Sequence, residues 1–361
     1  MRHEGRAENA GDILLICTGG AAGSNVSVNF QVFLNTLAAS NLTNASTGET
    51  EALLLIDEPQ PSPAVNTSNG FPYTGQVKGT PGVPAGAPGS GNVYQAASKS
   101  INSFTWTGVP VVAPGAAAQR IIRFTNIRAD ARVVPIPDPL TPGKIYGYVA
   151  AASSGGPITV NNPAQIVAFV MQSLTFSSAV SGPLATLTFT EQFTTAMRTR
   201  MTSPGRQNVP GAVYFTESGF TPDFATLNPG DIGSANTGTR LAAFFTNIPA
   251  GVTLLLVPNS VTASPGSGLL RRILPPYGAS YDGGTLAPAT GYGAVLVVNQ
   301  KTAVLYELIQ AGDPLVMEQF KIQTVPWPAV ALTGTTVQGL YAPINSTAGV
   351  NGPAPEPRFL P

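Results

Sequence analysis

Glycine and proline limit what this chain can fold into more than any other feature. The 361 residues include 39 Gly and 34 Pro, and these recur so often that few uninterrupted windows of helical length are left. Proline lacks the backbone donor that a helix needs, and glycine loses more backbone entropy there than other residues. The spacing therefore favours short strands joined by turns.

The apolar residues support this interpretation. Residues 26–33, 120–124 and 184–189 alternate in polarity or are rich in β-branched side chains, as expected of strands. The best helical candidate, 191–200, predicts one helix or 3₁₀ turn at most. We predict an all-β fold of antiparallel β-sandwiches, Ig-like or jelly-roll-like, with extended termini.

An internal similarity suggests two domains. Phe124-Thr125-Asn126-Ile127 recurs 121 residues later as Phe245-Thr246-Asn247-Ile248. Each copy is followed by an apolar run, at 165–170 and at 303–308. Because domains usually hold about 100–200 residues, a chain of this length suits two related sandwiches in tandem.

We place the domain boundary near Ser181-Gly182-Pro183. The expected arrangement is an N-terminal sandwich over 1–181, a second over 182–335, and an extended proline-rich tail over 336–361. A long Pro/Gly-rich loop over 57–92 interrupts the first domain. Loops of that length are usually functional or disordered.

The surface is expected to be polar but weakly charged. Only 10% of residues are charged, with 18 basic and 18 acidic side chains, whereas about 25% is usual. A chain without net positive charge has no electrostatic attraction to phosphate backbones, so nucleic-acid binding is not expected. Net charge near zero favours association instead.

Nucleophilic catalysis has few residues to use. The chain has one cysteine, Cys17, and one histidine, His3, so a Ser-His-Asp triad, an intramolecular disulfide and a cysteine-based zinc site are not expected. Cys17 is interpreted either as a small buried hydrophobe within a strand or as a thiol for an intermolecular disulfide. We predict no catalytic or metal-binding residue and no cofactor.

Three chemical alternatives stay open. A two-carboxylate hydrolase, or a calcium ion held by scattered carboxylates and carbonyls, would draw on the acidic residues. The candidates are Asp57, Glu58, Asp138, Asp223, Asp282, Glu307, Asp313 and Glu318. A sugar-stacking surface would use exposed aromatics such as Trp106 or Trp327, although scattered aromatics in β proteins more often lie in the core.

The composition suits the outside of a cell. No stretch approaches the ~20 apolar residues that span a bilayer, and residues 1–6 are charged and show no signal-peptide pattern. Asn41, Asn44 and Asn66 lie in glycosylation sequons within loop-like sequence. We expect an extracellular or cell-surface location, possible covalent glycans or a glycan ligand, and no membrane span.

A resemblance points the same way. Residues 17–20 (CTGG), 32–36 (VFLNT) and 51–59 (EALLLIDEP) resemble the opening of a group of uncharacterised secreted β-rich proteins of environmental bacteria. The Phe-Thr-Asn-Ile segments add weaker support. The resemblance implies export and a surface or filament role, and it implies no catalytic residues.

Together these features predict a self-associating structural subunit of a filament, tube or surface layer. Copies would be joined by β-strand addition or donor-strand exchange. The candidate arms comprise Ile13, Leu14, Leu15, Ile16, Cys17, Phe359 and Leu360. The alternatives are a carbohydrate-binding surface module and a virion or phage structural protein.

Overall fold

The protein is all-β. A computed structural model describes residues 1–40, 42–44, 48–50, 52–57, 65–66, 71–72, 93–138, 140–181, 183–199, 238–257, 261–262, 268–273, 293–295 and 297–342. These ranges contain no helix, and every ladder between their strands is antiparallel. The fold class predicted from the Gly/Pro spacing is confirmed.

The strands fall into two compact units. The first holds Met1–Met171 and, among the described residues, the second holds everything from Gln172 onward. Strands of the first unit are β1 (Glu8–Asn9), β2 (Ile13–Gly19), β3 (Asn25–Leu34), β4 (Leu42–Asn44), β5 (Glu49–Thr50), β6 (Leu53–Ile56), β7 (Val65–Asn66), β8 (Phe71–Pro72), β9 (Val93–Gln95), β10 (Ser98–Lys99), β11 (Ser103–Val112), β12 (Gly115–Thr125), β13 (Arg128–Ala129), β14 (Gly143–Ser153) and β15 (Ala164–Val170). Strands of the second unit are β16 (Leu174–Ser181), β17 (Leu184–Glu191), β18 (Arg240–Thr246), β19 (Thr253–Leu256), β20 (Val261–Thr262), β21 (Leu269–Ile273), β22 (Gly293–Val295), β23 (Thr302–Gln310), β24 (Gln319–Trp327) and β25 (Thr336–Tyr341).

The first unit is a sandwich of two sheets. A five-stranded sheet of order β10-β11-β3-β14-β15 faces a four-stranded sheet of order β2-β12-β6-β9. Alternation along β3 buries Phe30 in the core while its polar neighbours face outward. The Phe30 ring meets Phe124 of β12 edge to face at 5.6 Å between centroids, so side chains of both sheets fill one core.

The second unit repeats this architecture with its own core. Its larger sheet has the order β16-β17-β24-β19-β22, with β20 paired to β24, and its smaller sheet has the order β21-β23-β18-β25. Alternation along β17 buries Leu187 and Phe189. These side chains share a core with Phe245 of β18 and Tyr306 of β23.

The repeated Phe-Thr-Asn-Ile segment has the same local structure in both units. β12 and β18 end at its threonine, and the following residues, Asn126 and Asn247, have φ of 56° and 58°. Asparagine tolerates this left-handed conformation better than most residues. In each unit a hydroxyl from a distant part of the chain donates to the backbone carbonyl of this asparagine. Ser40 donates to Asn126 O at 3.3 Å, and Thr335 donates to Asn247 O at 3.2 Å. The sequence similarity therefore marks a recurring strand ending.

The apolar runs that follow are not equivalent, contrary to the sequence interpretation. Residues 165–170 lie in β15, an edge strand of the sheet opposite β12. Residues 303–308 lie in β23, which pairs directly with β18. The order of strands around the repeated segment thus differs between the two units.

The segment 191–200, expected to hold one helix or 3₁₀ turn at most, contains no helix in its described residues. β17 continues to Glu191, and residues 192–199 form turns and bends. The buried Glu191 carboxylate accepts the backbone N–H of Met197 at 2.7 Å and of Glu318 at 3.0 Å. These bonds draw the chain into a folded-back turn, where a helix would need its own carbonyls as acceptors.

The unit boundary also differs from the expected one near Ser181. β16 pairs along its whole length with β17 of the second unit, so the division falls between Met171 and Gln172. The expected tail over 336–361 begins with β25, which pairs with β18. Residues 343–361, and most of the 57–92 loop, lie outside the described residues.

Candidate association edge

β2 is an apolar strand at the edge of a sheet. It pairs on one side with β12, so that Ile13 lies opposite Phe124 and Ile16 opposite Ile121. Ile13 is fully buried, but Leu14 is 41% and Ile16 60% exposed on the outer face. Leu15 and Cys17, on the inner face, are only half-buried against the core. Both faces of β2 are therefore incompletely covered.

The other side of β2 is open within the described structure. No described strand pairs with this second side of β2. Its residues, Ile13–Gly19, include neither proline nor a charged side chain. Natural edge strands are usually protected by charges, proline, bulges or a covering segment. A continuous apolar run is typical of a strand with neighbours on both sides.

Three other described edges, those of β15, β9 and β10, are covered or short. The outer side of β15 is covered by the N-terminal segment: the Met1 amine donates to Phe169 O at 2.7 Å and Gly11 N to Val167 O at 2.7 Å. β9 and β10 are very short. β16 is also uncharged and exposes Val180 (59%), but its other exposed side chains are Thr, Ser and Ala. The combination of length, apolar character and openness distinguishes β2.

Ion pairs neutralise the charges beside this edge. Arg123 of β12, opposite Leu14, contacts Asp12 at 2.9 Å, and Arg120, opposite Cys17, contacts Asp57. Burial raises the pKa of the Cys17 thiol, and the negative charge of Asp57 raises it further. Cys17 therefore stays a neutral thiol at pH 7, which is a packing role and not that of an activated nucleophile.

The residues predicted as an N-terminal arm form a strand within this chain. Ile13, Leu14, Leu15, Ile16 and Cys17 form a paired strand of the sandwich. A strand whose first residue is locked in the core cannot leave to join a neighbour without opening that core, although its free edge can receive one. Phe359 and Leu360, the other predicted arm residues, lie outside the described structure.

The two tryptophans have opposite environments. Trp106 is 1% exposed, its Nε1–H donates to Tyr94 O at 3.2 Å, and its ring lies 5.0 Å from that of Phe124. Trp106 is thus a core residue and not part of a sugar-stacking surface. Trp327, at the end of β24, is 65% exposed.

An exposed aromatic face lies elsewhere, on the outside of the five-stranded sheet. Tyr146 and Tyr148 of β14 point outward with ring centroids 6.3 Å apart and planes inclined by 33°. Phe33 of β3 lies opposite Tyr148, and Ile166 of β15 lies opposite Tyr146. The period-2 spacing of the two tyrosines is the sequence signal that could have identified this face.

Several candidate carboxylates have structural roles. Asp57 pairs with Arg120, and Glu307 pairs with Arg240. Asp138 accepts N–H bonds from its own turn. Glu58, Asp223 and Asp282 lie outside the described residues, and among those described no three metal-binding side chains cluster.

Glu318 has a different environment from these paired carboxylates. Its residue is 4% exposed, and neither carboxylate oxygen has a partner in close, well-aligned hydrogen-bond geometry. Desolvation raises its pKa, the nearby charge of Asp313 adds to this, and the backbone amides of Asp313 and Gly268 oppose it. Because its folded-state pKa exceeds the unfolded one, Glu318 contributes stability at low pH that is lost as pH rises through its folded pKa.

We therefore expect Glu318→Gln to stabilise the second unit at pH 7 by about 1 kcal/mol, since the substitution removes a buried unpaired charge. The difference from wild type should vanish near pH 4, and thermal denaturation across this range measures it. Asp138→Asn is the control of opposite sign, because hydrogen bonds from Thr141 and Leu140 lower the pKa of Asp138. A pH-independent effect of Glu318→Gln would contradict the assignment.

Two of the three sequon asparagines lie among the described residues. Asn44 ends β4 and Asn66 ends β7, while Asn41 lies outside the described residues. Among the described residues, no helix is long and apolar enough to cross a membrane.

The sequence matches no model of a known protein family, and it matches no curated protein. No activity is therefore carried over to this chain from another protein.

Proposed function

We propose that the chain is a structural subunit of an extracellular assembly, such as a filament, tube or surface layer. Copies associate when the open edge of β2 receives an extended segment of another copy. The observation that carries this proposal is the uncharged edge strand that exposes Leu14 and Ile16.

Strand addition suits this edge energetically. An incoming strand forms main-chain hydrogen bonds along β2 and covers side chains on both of its faces. Covering about 40 Å² of the exposed apolar surface of each of Leu14 and Ile16 stabilises the contact between copies by about 1 kcal/mol per side chain, at ~25 cal/mol per Å². The half-buried Leu15 and Cys17 gain a neighbour on the inner face.

The surface chemistry supports association outside the cell. Equal numbers of acidic and basic residues and a charged fraction of 10% leave little repulsion between copies. A contact between an edge and a different segment is heterologous, so it propagates into a filament unless its rotation closes a ring.

The test is Ile16→Lys in the full chain, followed by light scattering and negative-stain microscopy. A lysine on the outer face of β2 leaves the sandwich core intact, and it gives this edge the kind of charge that natural edge strands use against strand addition. We expect assembly to require at least about tenfold more protein, which corresponds to ~1.4 kcal/mol.

Leu315→Lys is the matched control, because Leu315 is 84% exposed in a turn of the second unit. It should assemble as the wild type does. A wild-type protein that stays monomeric at high concentration, or an Ile16→Lys variant that assembles normally, would refute the proposal.

The exposed aromatic face favours a second candidate function, which is glycan binding. Neighbouring tyrosine rings offer flat apolar surfaces and hydroxyls to a saccharide. Tyr148→Ala should then abolish binding on a glycan array, while Trp327→Ala should leave it unchanged. Binding that survives Tyr148→Ala would remove this candidate.

A further inference from the structure

The C-terminal residues carry a proline at almost every second position. Residues 353–361 read Pro-Ala-Pro-Glu-Pro-Arg-Phe-Leu-Pro, so the odd-numbered positions are proline except for Phe359. On the basis of the strand addition proposed above, we infer that this segment of another copy is the strand that β2 receives.

The spacing gives the segment one pairing edge. In an extended strand, the N–H and C=O groups of successive residues point to opposite edges. Proline has no N–H, so the odd-numbered edge keeps only the donor of Phe359. The even-numbered edge keeps all its donors, from Ala354, Glu356, Arg358 and Leu360. Such a strand can pair along one side only, as proline-bearing edge strands do.

The same spacing separates strand addition from polyproline recognition. A polyproline II ligand repeats every three residues, whereas a strand repeats every two. Prolines at 353, 355 and 357 follow the strand period. They also hold the residues before them in extended conformations, which lowers the entropy lost on pairing.

The faces of the segment match those of β2. Its odd-numbered side chains are Pro and Phe359, an apolar row suited to the half-buried face formed by Leu15 and Cys17. Its even-numbered side chains include Glu356 and Arg358. They would lie on the face of Leu14 and Ile16, beside the Arg123–Asp12 ion pair, where opposite charges can complement each other.

The prolines also explain why addition would stop after one strand. Once the segment has paired with β2, its outer edge offers almost no donors to a third chain. Each copy then has one acceptor edge and one donor segment, which gives a linear head-to-tail polymer. Residues 343–352 connect the donor to Ala342, whose N–H still bonds Arg240 O, and span up to roughly 30 Å.

Substitutions that add or remove a proline in the full chain test which edge of the segment pairs with β2. Glu356→Pro removes a donor from the pairing edge, so we expect assembly to require at least about tenfold more protein. Glu356→Ala, which removes the charge but keeps the N–H, and Pro357→Ala, which alters only the opposite edge, should both assemble. Equal assembly of Glu356→Pro and Glu356→Ala would overturn the inference.

Cysteine cross-linking tests which side chains of the segment lie on the same face of the sheet as Cys17. With Cys17 as the natural partner, Phe359→Cys or Pro357→Cys should form a ladder of linked chains on a non-reducing gel after mild oxidation with oxidised glutathione. Leu360→Cys, on the opposite face, should not. A ladder from Leu360→Cys alone, or linkage within single chains only, would overturn the inference.

The outcomes separate this inference from the function on which it rests. If Ile16→Lys prevents assembly while Glu356→Pro does not, β2 is the acceptor and another segment is the donor, so only the inference fails. If Ile16→Lys assembles normally, the proposed function fails with it.

Discussion

Replacing Trp106 with alanine is expected to lower the unfolding free energy of the first unit by about 3–5 kcal/mol. The side chain is 1% exposed and packs between the two sheets, with ring contacts to Phe124 at 5.0 Å and Phe104 at 6.5 Å. Its loss leaves a large cavity and removes the hydrogen bond that Trp106 donates to the Tyr94 carbonyl. Chemical denaturation monitored by circular dichroism measures the change.

Trp327→Ala is the internal control for this prediction. Because Trp327 is 65% exposed, its loss should change stability by less than about 0.5 kcal/mol. In a Trp327→Phe background, the remaining Trp106 fluorescence should be blue-shifted and protected from acrylamide. Red-shifted, quenchable emission from Trp106 would contradict its place in the core.

Replacing Glu307 with alanine is expected to destabilise the second unit by about 3–5 kcal/mol. Glu307 is completely buried on β23, where its carboxylate accepts Arg240 Nε–H at 3.0 Å and Gly238 N–H at 2.8 Å. Arg271, also buried, lies opposite it on β21. Removing the carboxylate leaves buried arginine charge without its counter-ion.

The partly exposed pair Arg123–Asp12, with each side chain 21% exposed, is the comparison. Water screens that pair, so Asp12→Ala should cost no more than about 1 kcal/mol. Thermal unfolding of both variants separates the two cases. Equal losses would mean that burial does not set the strength of these ion pairs.

The sequence alone predicted the parts of the fold that depend on local chemistry. Gly and Pro spacing excluded long helices, and alternation along residues 26–33 and 184–189 identified β3 and β17. The Phe-Thr-Asn-Ile repeat was interpreted as a sign of two related domains, and the structure shows that it coincides with two strand endings that hold a left-handed asparagine. Each of these properties is decided within a few residues.

Tertiary structure decided what depends on distant partners. The sequence shows that residues 13–17 are apolar and suit a strand or an assembly arm. Only the tertiary structure shows that they pair with β12 at the edge of a sheet. Trp106 and Trp327 are chemically identical, yet one is buried and the other exposed. Pairing order, unlike periodicity, is set by contacts between residues far apart in the chain, which no local pattern specifies.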